Sequence, residues 1–194
     1  MPPITGVLGL KETTLMGLPG HNADDAALIF SAQAGDSAAF EQLFDRYYSM
    51  IHAFSYRLCL SAADADDIAQ NTFVRAARAL GDFRGGDFRS WLFRIASNAS
   101  RDLRRGQMRR TRATDAMAVE VEHDSKVRRA DMTPIHEALL KLPEDHREAV
   151  VLVYMEGMTH GEAARLLNCA VTTVSWRLYR ARIQLKAELT KTRP

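Results

Sequence analysis

The chain has 194 residues, 46% of them hydrophobic, and a formal charge of +2 from 26 Lys and Arg against 24 Asp and Glu. That content suffices for one ordinary folded core or two small ones and excludes a chain disordered throughout. No apolar run reaches the roughly 20 residues of a membrane span, residues 1–10 lack the layout of a signal peptide, and Cys59 and Cys169 alone make neither a disulfide framework nor a Cys-rich zinc site, so a cytoplasmic setting without membrane insertion is expected.

The small total hides an alternation. Residues 1–74 carry −6 (3 basic, 9 acidic), 75–112 carry +8 (11 basic, 3 acidic), 113–171 carry −5 (6 basic, 11 acidic) and 172–194 carry +5 (6 basic, 1 acidic). Two basic blocks set between acidic ones suit a single polyanionic partner touched twice.

Residues 1–23, with two Pro before Ile4, four Gly and no helical period, read as an N-terminal tail. From Asp24 the pattern is helical. From about Asp36, the residues Phe40, Leu43, Phe44, Tyr47, Ile51, Phe54 and Leu58 recur at steps of three and four, the apolar face of an amphipathic helix. Ser61 to Asp64 has the form of a capping box opening a second helix, with Ile68, Thr72, Ala76 and Leu80 on one side. Gly81, Gly85 and Gly86 punctuate a loop, after which a third helix starts near Asp87 and runs through Trp91, Leu92 and Ile95 into an Arg-rich end. Residues 106–132, poor in large apolar residues and mixed in charge, read as a flexible linker. Thr133-Pro134 then reads as an N-cap with Pro at the first helical position, and a further helix over about 144–156 ends at Gly157. No segment alternates as a strand. The expectation is an all-α chain of two small helical domains, 24–105 and 133–194, joined by that linker.

The sharpest motif lies at 159–187. Thr159 to Glu162 is a capping box opening a short helix with Ala163, Ala164 and Leu167 inward; Asn168 to Val171 is a tight turn; Thr172 or Thr173 caps a second helix with Val174, Leu178, Ala181 and Leu185 as its apolar stripe. Two short helices across such a turn form a helix-turn-helix unit, whose second helix fits the DNA major groove, about 12 Å wide. Opposite the stripe stand Ser175, Trp176, Arg177, Tyr179, Arg180 and Arg182, donors and cations suited to bases and phosphates, and His160 at the start of the first helix is placed to face phosphate.

In the block 75–112 every basic residue is Arg, interleaved with Phe83, Phe88, Trp91 and Phe93. The planar guanidinium fork suits phosphate, and aromatic rings stack on unpaired bases. The competing reading makes the rings core, in part for Trp91 and Phe93, but so many cations cannot be buried unpaired. The stretch Asp64 to Phe73 opens on three carboxylates, which stabilise the positive end of a helix dipole or face a basic protein partner. Helical spacing scatters those carboxylates and no His is near them in sequence, so no metal is expected there, and no cofactor anywhere. The six His show no paired-ligand spacing, and no phosphate loop, nucleophile elbow or HExxH occurs, so no catalytic residue is expected.

These residues resemble the extracytoplasmic-function (ECF) group of bacterial sigma factors, over roughly residues 24–105 and 134–190. The run Asp64-Ala65-Asp66-Asp67-Ile68-Ala69-Gln70-Asn71-Thr72-Phe73 is similar to the helix with which that group grips the clamp coiled coil of core RNA polymerase. Phe83 to Asn98 is similar to the promoter-melting segment. The resemblance implies that the loop from Asp82 to Ser90 holds a base flipped from the minus-ten element, with Phe83, Arg84, Phe88, Arg89, Trp91, Asn98, Arg101, Arg104 and Arg105 at or near DNA. It implies that Asp64, Asp66, Asp67, Gln70, Asn71 and Phe73 bind polymerase, and that His160, Thr172, Thr173, Ser175, Trp176, Arg177, Tyr179, Arg180 and Arg182 read the minus-thirty-five element while that half meets the flap. A dedicated anti-sigma factor is the implied inhibitor. Asn71 stands where relatives usually carry an acidic residue. Ser175 and Trp176 stand where a basic residue followed by Ser is common, and His160 and Gly161 where a Tyr-Glu pair is common, so an unusual minus-thirty-five sequence is expected. Two other functions fit parts of the pattern: a helix-turn-helix regulator that binds duplex DNA without polymerase, and a mimic that sequesters an anti-sigma factor.

Overall fold

The computed structural model of the chain describes residues 23–114 and 133–191, and among these residues every regular element is helical. The expected tail, but for Ala23, and the stretch 115–132 of the expected linker lie outside the described residues.

The first half contains α1 (Ala23–Gln33), α2 (Ser37–Cys59), α3 (Ala62–Ala79) and α4 (Phe88–Thr114). Asp36 caps α2 by accepting from the backbone N–H groups of Ala38 and Ala39, and Ser61 caps α3 by accepting from Asp64. Most of the apolar stripe foreseen on α2 is core: Leu43, Tyr47, Ile51, Phe54 and Leu58 are buried with Ala69, Phe73 and Ala76 of α3 and Leu92, Phe93 and Ala96 of α4, and Phe40 and Phe44 pack at its edge. A short 3-10 turn, Leu80–Asp82, leads into the glycine loop, where Gly85 (φ 91°) and Gly86 (φ 94°) take left-handed conformations that a side chain would strain. Helix α4 continues through Thr114, past the point at which the linker was expected to begin. Its Arg-rich end has no apolar stripe to announce it, and the helix propensity of Arg, Gln and Met sustains the helix instead.

The second half contains α5 (Pro134–Leu140), α6 (Glu144–Val150), α7 (His160–Leu166) and α8 (Val171–Lys191). Thr133 and Pro134 stand at the N-cap and first position of α5 as expected, although the Thr133 side chain makes no capping bond. The helix foreseen over 144–156 changes character at Val151, where a π-helical turn (Val151–Met155) takes over, with the Glu156 N–H bonded to the Val151 carbonyl at 2.9 Å. Gly157 (φ 72°) then ends it, and the Met158 N–H reaches back to the Leu152 carbonyl.

The two halves pack on each other, and their cores are continuous. At the seam the chain leaves α2 through Leu60, a non-glycine residue at φ 55°, and the Leu58 carbonyl in the last turn of α2 accepts from Arg147 of the second half. Such a conformation costs on the order of 1–2 kcal/mol, and burial of the Leu60 side chain offsets it.

Candidate nucleic-acid interface

Helix α7 opens with a complete capping box: the Thr159 side chain accepts from the Glu162 N–H, and the Glu162 carboxylate accepts from the Thr159 N–H at 2.8 Å. The Thr159 N–H foremost, and then the Thr159 hydroxyl, which also donates to the carboxylate at 2.7 Å, hold the Glu162 carboxyl below the usual carboxylate range. Asn168 (φ 50°) turns the chain, and α8 begins one residue before the expected caps: the Ala170 carbonyl accepts from the N–H groups of Thr173 and Val174. Thr172 and Thr173 therefore lie inside the first turn and do not cap it. Val174, Leu178, Ala181 and Leu185 are buried as the spacing required, and Thr172, Ser175, Trp176, Tyr179, Arg180 and Arg182 form the exposed face.

That face is organised by contacts back to its own half. His160 Nδ1 lies 3.0 Å from the Ser175 hydroxyl, which ties the start of α7 to α8. Trp176, 55% exposed, leans edge-on against His146, and the Arg182 guanidinium lies over the Tyr179 ring. Arg177 stands apart from the face. It is largely covered and its Nε pairs with Asp145 of α6 at 3.1 Å.

The aromatic residues of the glycine loop are where the first reading needs correction. Phe83 and Phe88 are buried, and with Trp91 they form a mutually packed cluster of rings that reaches Tyr47. Phe83 and Phe88 hold the loop from beneath, while Trp91 is half-buried and lines the cleft beside the loop. Phe73, expected at a polymerase surface, is likewise buried, against Phe44 and Tyr48. Asp66, Asp67, Gln70 and Asn71 are exposed on α3, and Asp64 is half-buried. His52 of α2 reaches Asp66 at 3.0 Å, a neighbour that sequence distance concealed. Among the described residues no group of three or more potential metal ligands occurs.

The Arg block divides in two. Arg84, Arg94 and Arg105 are exposed, as is Asn98, which accepts from Arg101. Arg89, Arg101 and Arg104 instead meet acids of the second half. Arg89 donates to the carbonyl and the carboxylate of Glu156 (3.0 and 3.1 Å), Arg101 donates to Glu148 at 2.6 Å, and Arg104 pairs with Glu144 at 3.1 Å. Arg57 takes the other carboxylate oxygen of Glu156, and the Ser97 hydroxyl donates to Glu148. Glu148 and Glu156 are 3% and 4% exposed, so these bonds form in a largely dry seam where pairing is required. Arg147 of α6 crosses the same seam, donating to the Leu58 carbonyl at 2.7 Å and to those of Leu140 and Leu142; burial pulls its guanidinium down to about 10. None of Glu144, Glu148, Glu156, Arg57 and Arg147 was singled out from the sequence. The signal was there in coarse form, as a −5 block set beside a +8 block.

Comparison with known proteins matches both halves. The profile of Sigma-70 region 2 covers residues 43–110, and that of Sigma-70, region 4 covers residues 132–185. The chain is 35% identical to the RNA polymerase sigma-H factor of Pseudomonas aeruginosa over 81% of this chain and 90% of that one, and 36% identical to the ECF RNA polymerase sigma factor SigM of Mycobacterium tuberculosis over 85% and 84%. Among solved structures it is similar to CnrH in complex with the cytosolic domain of CnrY (TM-score 0.66, 33% identity, 87% of this chain and 98% of that one). It is also similar to the sigma factor RpoE in complex with the anti-sigma factor NepR from Bartonella quintana (TM-score 0.66, 28% identity, 79% and 98%).

Proposed function

This chain belongs to the ECF group of the sigma-70 family, and from that premise we propose that it binds core RNA polymerase and directs promoter-specific initiation. The observation that carries the reading is the outward face of α8, which sets Ser175, Trp176, Tyr179, Arg180 and Arg182 over a fully buried stripe within a helix-turn-helix. A helix so supported presents base-reading and phosphate-binding groups to a major groove without distorting itself. Thr172 and His160 flank that face, and the half that carries it meets the flap.

The first half has two tasks. The exposed residues of α3, Asp66, Asp67, Gln70 and Asn71 with Asp64 at their edge, engage the clamp coiled coil. The loop over residues 82–90 and the Arg side of α4 engage the opened minus-ten strand, with Arg84, Asn98 and Arg105 exposed for phosphate and sugar contacts. Phe83, Phe88 and Trp91 serve this step by shaping the loop from beneath. The chain contributes binding and strand capture, and the polymerase performs the chemistry.

The packed arrangement is the held-off form. Arg89, Arg101 and Arg104, which the strand requires, are held by Glu156, Glu148 and Glu144, so the second half occupies the place of the DNA phosphates. An anti-sigma factor, the class of partner named with the similar Bartonella protein, would act by stabilising such a form or by covering one half.

The test is gel filtration of the chain with core polymerase, paired with a gel shift on duplex DNA in its absence. A stable complex, with specific duplex binding only when polymerase is present, is the expected result. Specific duplex binding by the chain alone, with no polymerase complex, would establish the independent regulator instead.

A further inference from the structure

Helix α1 lies beside the glycine loop and is joined to it by one side chain. Gln33 Nε2 donates to the Leu80 carbonyl and to the Phe83 carbonyl, both at 2.9 Å, and so fixes the entry to the loop from a residue some fifty positions earlier. Between the helix and the loop runs a cleft of about 540 Å³, with Ile29, Phe30 and Gln33 on one wall and Phe83, Arg84 and Gly85 on the other. The other end of α1 is anchored as well: Asp25, which also lines the cleft, is buried and accepts from Arg46 and from the Tyr47 hydroxyl, so the helix is held at both ends.

Phe30 has no structural reason to be where it is. It is 75% exposed, the most exposed large apolar side chain among the described residues, on a helix whose other large apolar residues, Leu28 and Ile29, pack on the core. Across the cleft, Gly85 and Gly86 leave open space where a Cβ would stand, so a flat group could approach the backbone closely. Arg84 at the same rim supplies a cation for a phosphate. An exposed ring, a bare glycine backbone and one cation are the components that hold an unpaired nucleotide: a stacking face, room for the base, and a charge for its phosphate.

We propose that α1 is the second wall of the strand-capture site, with Phe30 stacking on an unpaired base of the opened strand and Gln33 as the positioning residue that sets the loop opposite it. The proposal rests on the reading above that the loop over 82–90 captures the opened strand, and it adds the surface that supplies the ring which Phe83 and Phe88, being buried, do not. The other side of the loop faces Glu162, Arg165 and Leu166 of α7 in the packed form, whereas the α1 side is lined by no residue of the second half.

The experiment uses the full chain bound to core polymerase. The probes are duplexes ending in a ten-nucleotide unpaired strand of random sequence, from which the wild-type complex selects a tight binder that is then resynthesised with 2-aminopurine at each unpaired position in turn. Phe30→Ala and Gln33→Glu should each weaken binding of the selected fork by at least about fivefold, as loss of a stacked base does, and should abolish the fluorescence change at one position. Phe30→Tyr should retain both, and binding of the corresponding closed duplex should change less than about twofold. A folding defect would lower fork and duplex binding together and would not separate the two. If both variants match wild type on the fork while wild type prefers fork to duplex, this proposal is wrong and the strand-capture reading stands. If wild type shows no preference for the fork, both fall. If Phe30→Ala lowers affinity for polymerase while each assembled complex binds fork normally, the cleft seats a protein and the proposal is overturned.

Discussion

Arg89, on the first turn of α4, donates to both the backbone carbonyl and the carboxylate of Glu156, at the end of the π-helical turn in the other half. The carbonyl is available because Gly157 turns the chain away immediately after it, and the carboxylate is shared with Arg57. One residue of the second half thus occupies two cations of the first. Removing it should open the molecule. Glu156→Ala leaves the largely covered Arg89 without its carboxylate, while the more exposed Arg57 can turn to water, a change worth about 3 kcal/mol for the loss of one partner of a buried pair. With Glu148→Ala added, the distance between fluorophores placed on α3 and α8 should lengthen and the affinity for core polymerase should rise, whereas an unchanged distance would show that the apolar seam alone holds the halves.

Arg147 is the other bolt across the seam, and it works without a carboxylate. Its acceptors are backbone carbonyls, above all that of Leu58 at the negative end of the α2 dipole, which Arg104 also contacts at 3.3 Å. Arg147→Ala would strip the Leu140 and Leu142 carbonyls of this donor and leave the Leu58 carbonyl with Arg104 alone, and should destabilise the protein by about 2 kcal/mol. Thermal unfolding followed by circular dichroism should register that loss. A midpoint equal to wild type would mean that water replaces the guanidinium at no net cost.

The capping box of α7 makes acid sensitivity local. The Glu162 carboxyl is held below its ordinary value by the Thr159 N–H first and the Thr159 hydroxyl second. Because the folded-state value is the lower one, the stabilisation is present above the unfolded value of 4.5 and is lost as pH falls through the folded value. Glu162→Gln should cost at most about 1 kcal/mol at pH 7 and should remove this part of the acid-side decline. Hydrogen exchange at the Thr159 N–H, which donates to that carboxylate, reports it between pH 3 and 6, and identical acid profiles in variant and wild type would contradict the assignment.

Cys59 should be a poor nucleophile. Burial pushes its thiol up to about 11, against an ordinary value of 9.0, and its Sγ lies 3.3 Å from the Ser61 carbonyl, to which the S–H donates. At pH 8 its alkylation by iodoacetamide should run about a hundredfold slower than that of an unperturbed thiol and should accelerate toward pH 11. Mass spectrometry of the Cys59 peptide measures this, and rapid labelling at pH 8 would show that the thiol is neither buried nor bonded as described.

The helices of this chain were legible because their signals are local. Asp36, Ser61 and Thr159 cap the helices they precede, and the stripes Leu43 to Leu58 and Val174 to Leu185 are buried as their spacing requires. The misreadings share one cause, that a side chain's role depends on what packs opposite it. Phe83 and Phe88 look like base-stacking residues until Trp91 and Tyr47 close over them. Thr172 and Thr173 look like caps until the Ala170 carbonyl starts the helix first. The pairing of Arg89, Arg101 and Arg104 with Glu156, Glu148 and Glu144 spans dozens of residues, and only the opposite charge of the two blocks hinted at it. The position of Gln33 against a loop some fifty residues later left no trace in sequence at all.

Run-off transcription shows whether this chain directs core polymerase to promoters. Core RNA polymerase, the purified chain and fragments of the genome that encodes it are incubated with nucleotides, and the transcript 5′ ends are mapped. A sigma factor yields discrete start sites that share one upstream and one downstream element, that vanish when the chain is omitted, and that weaken with Arg180→Ala on the exposed face of α8. Start sites no more discrete than those of core polymerase alone, with no complex between the two, would contradict the proposed function.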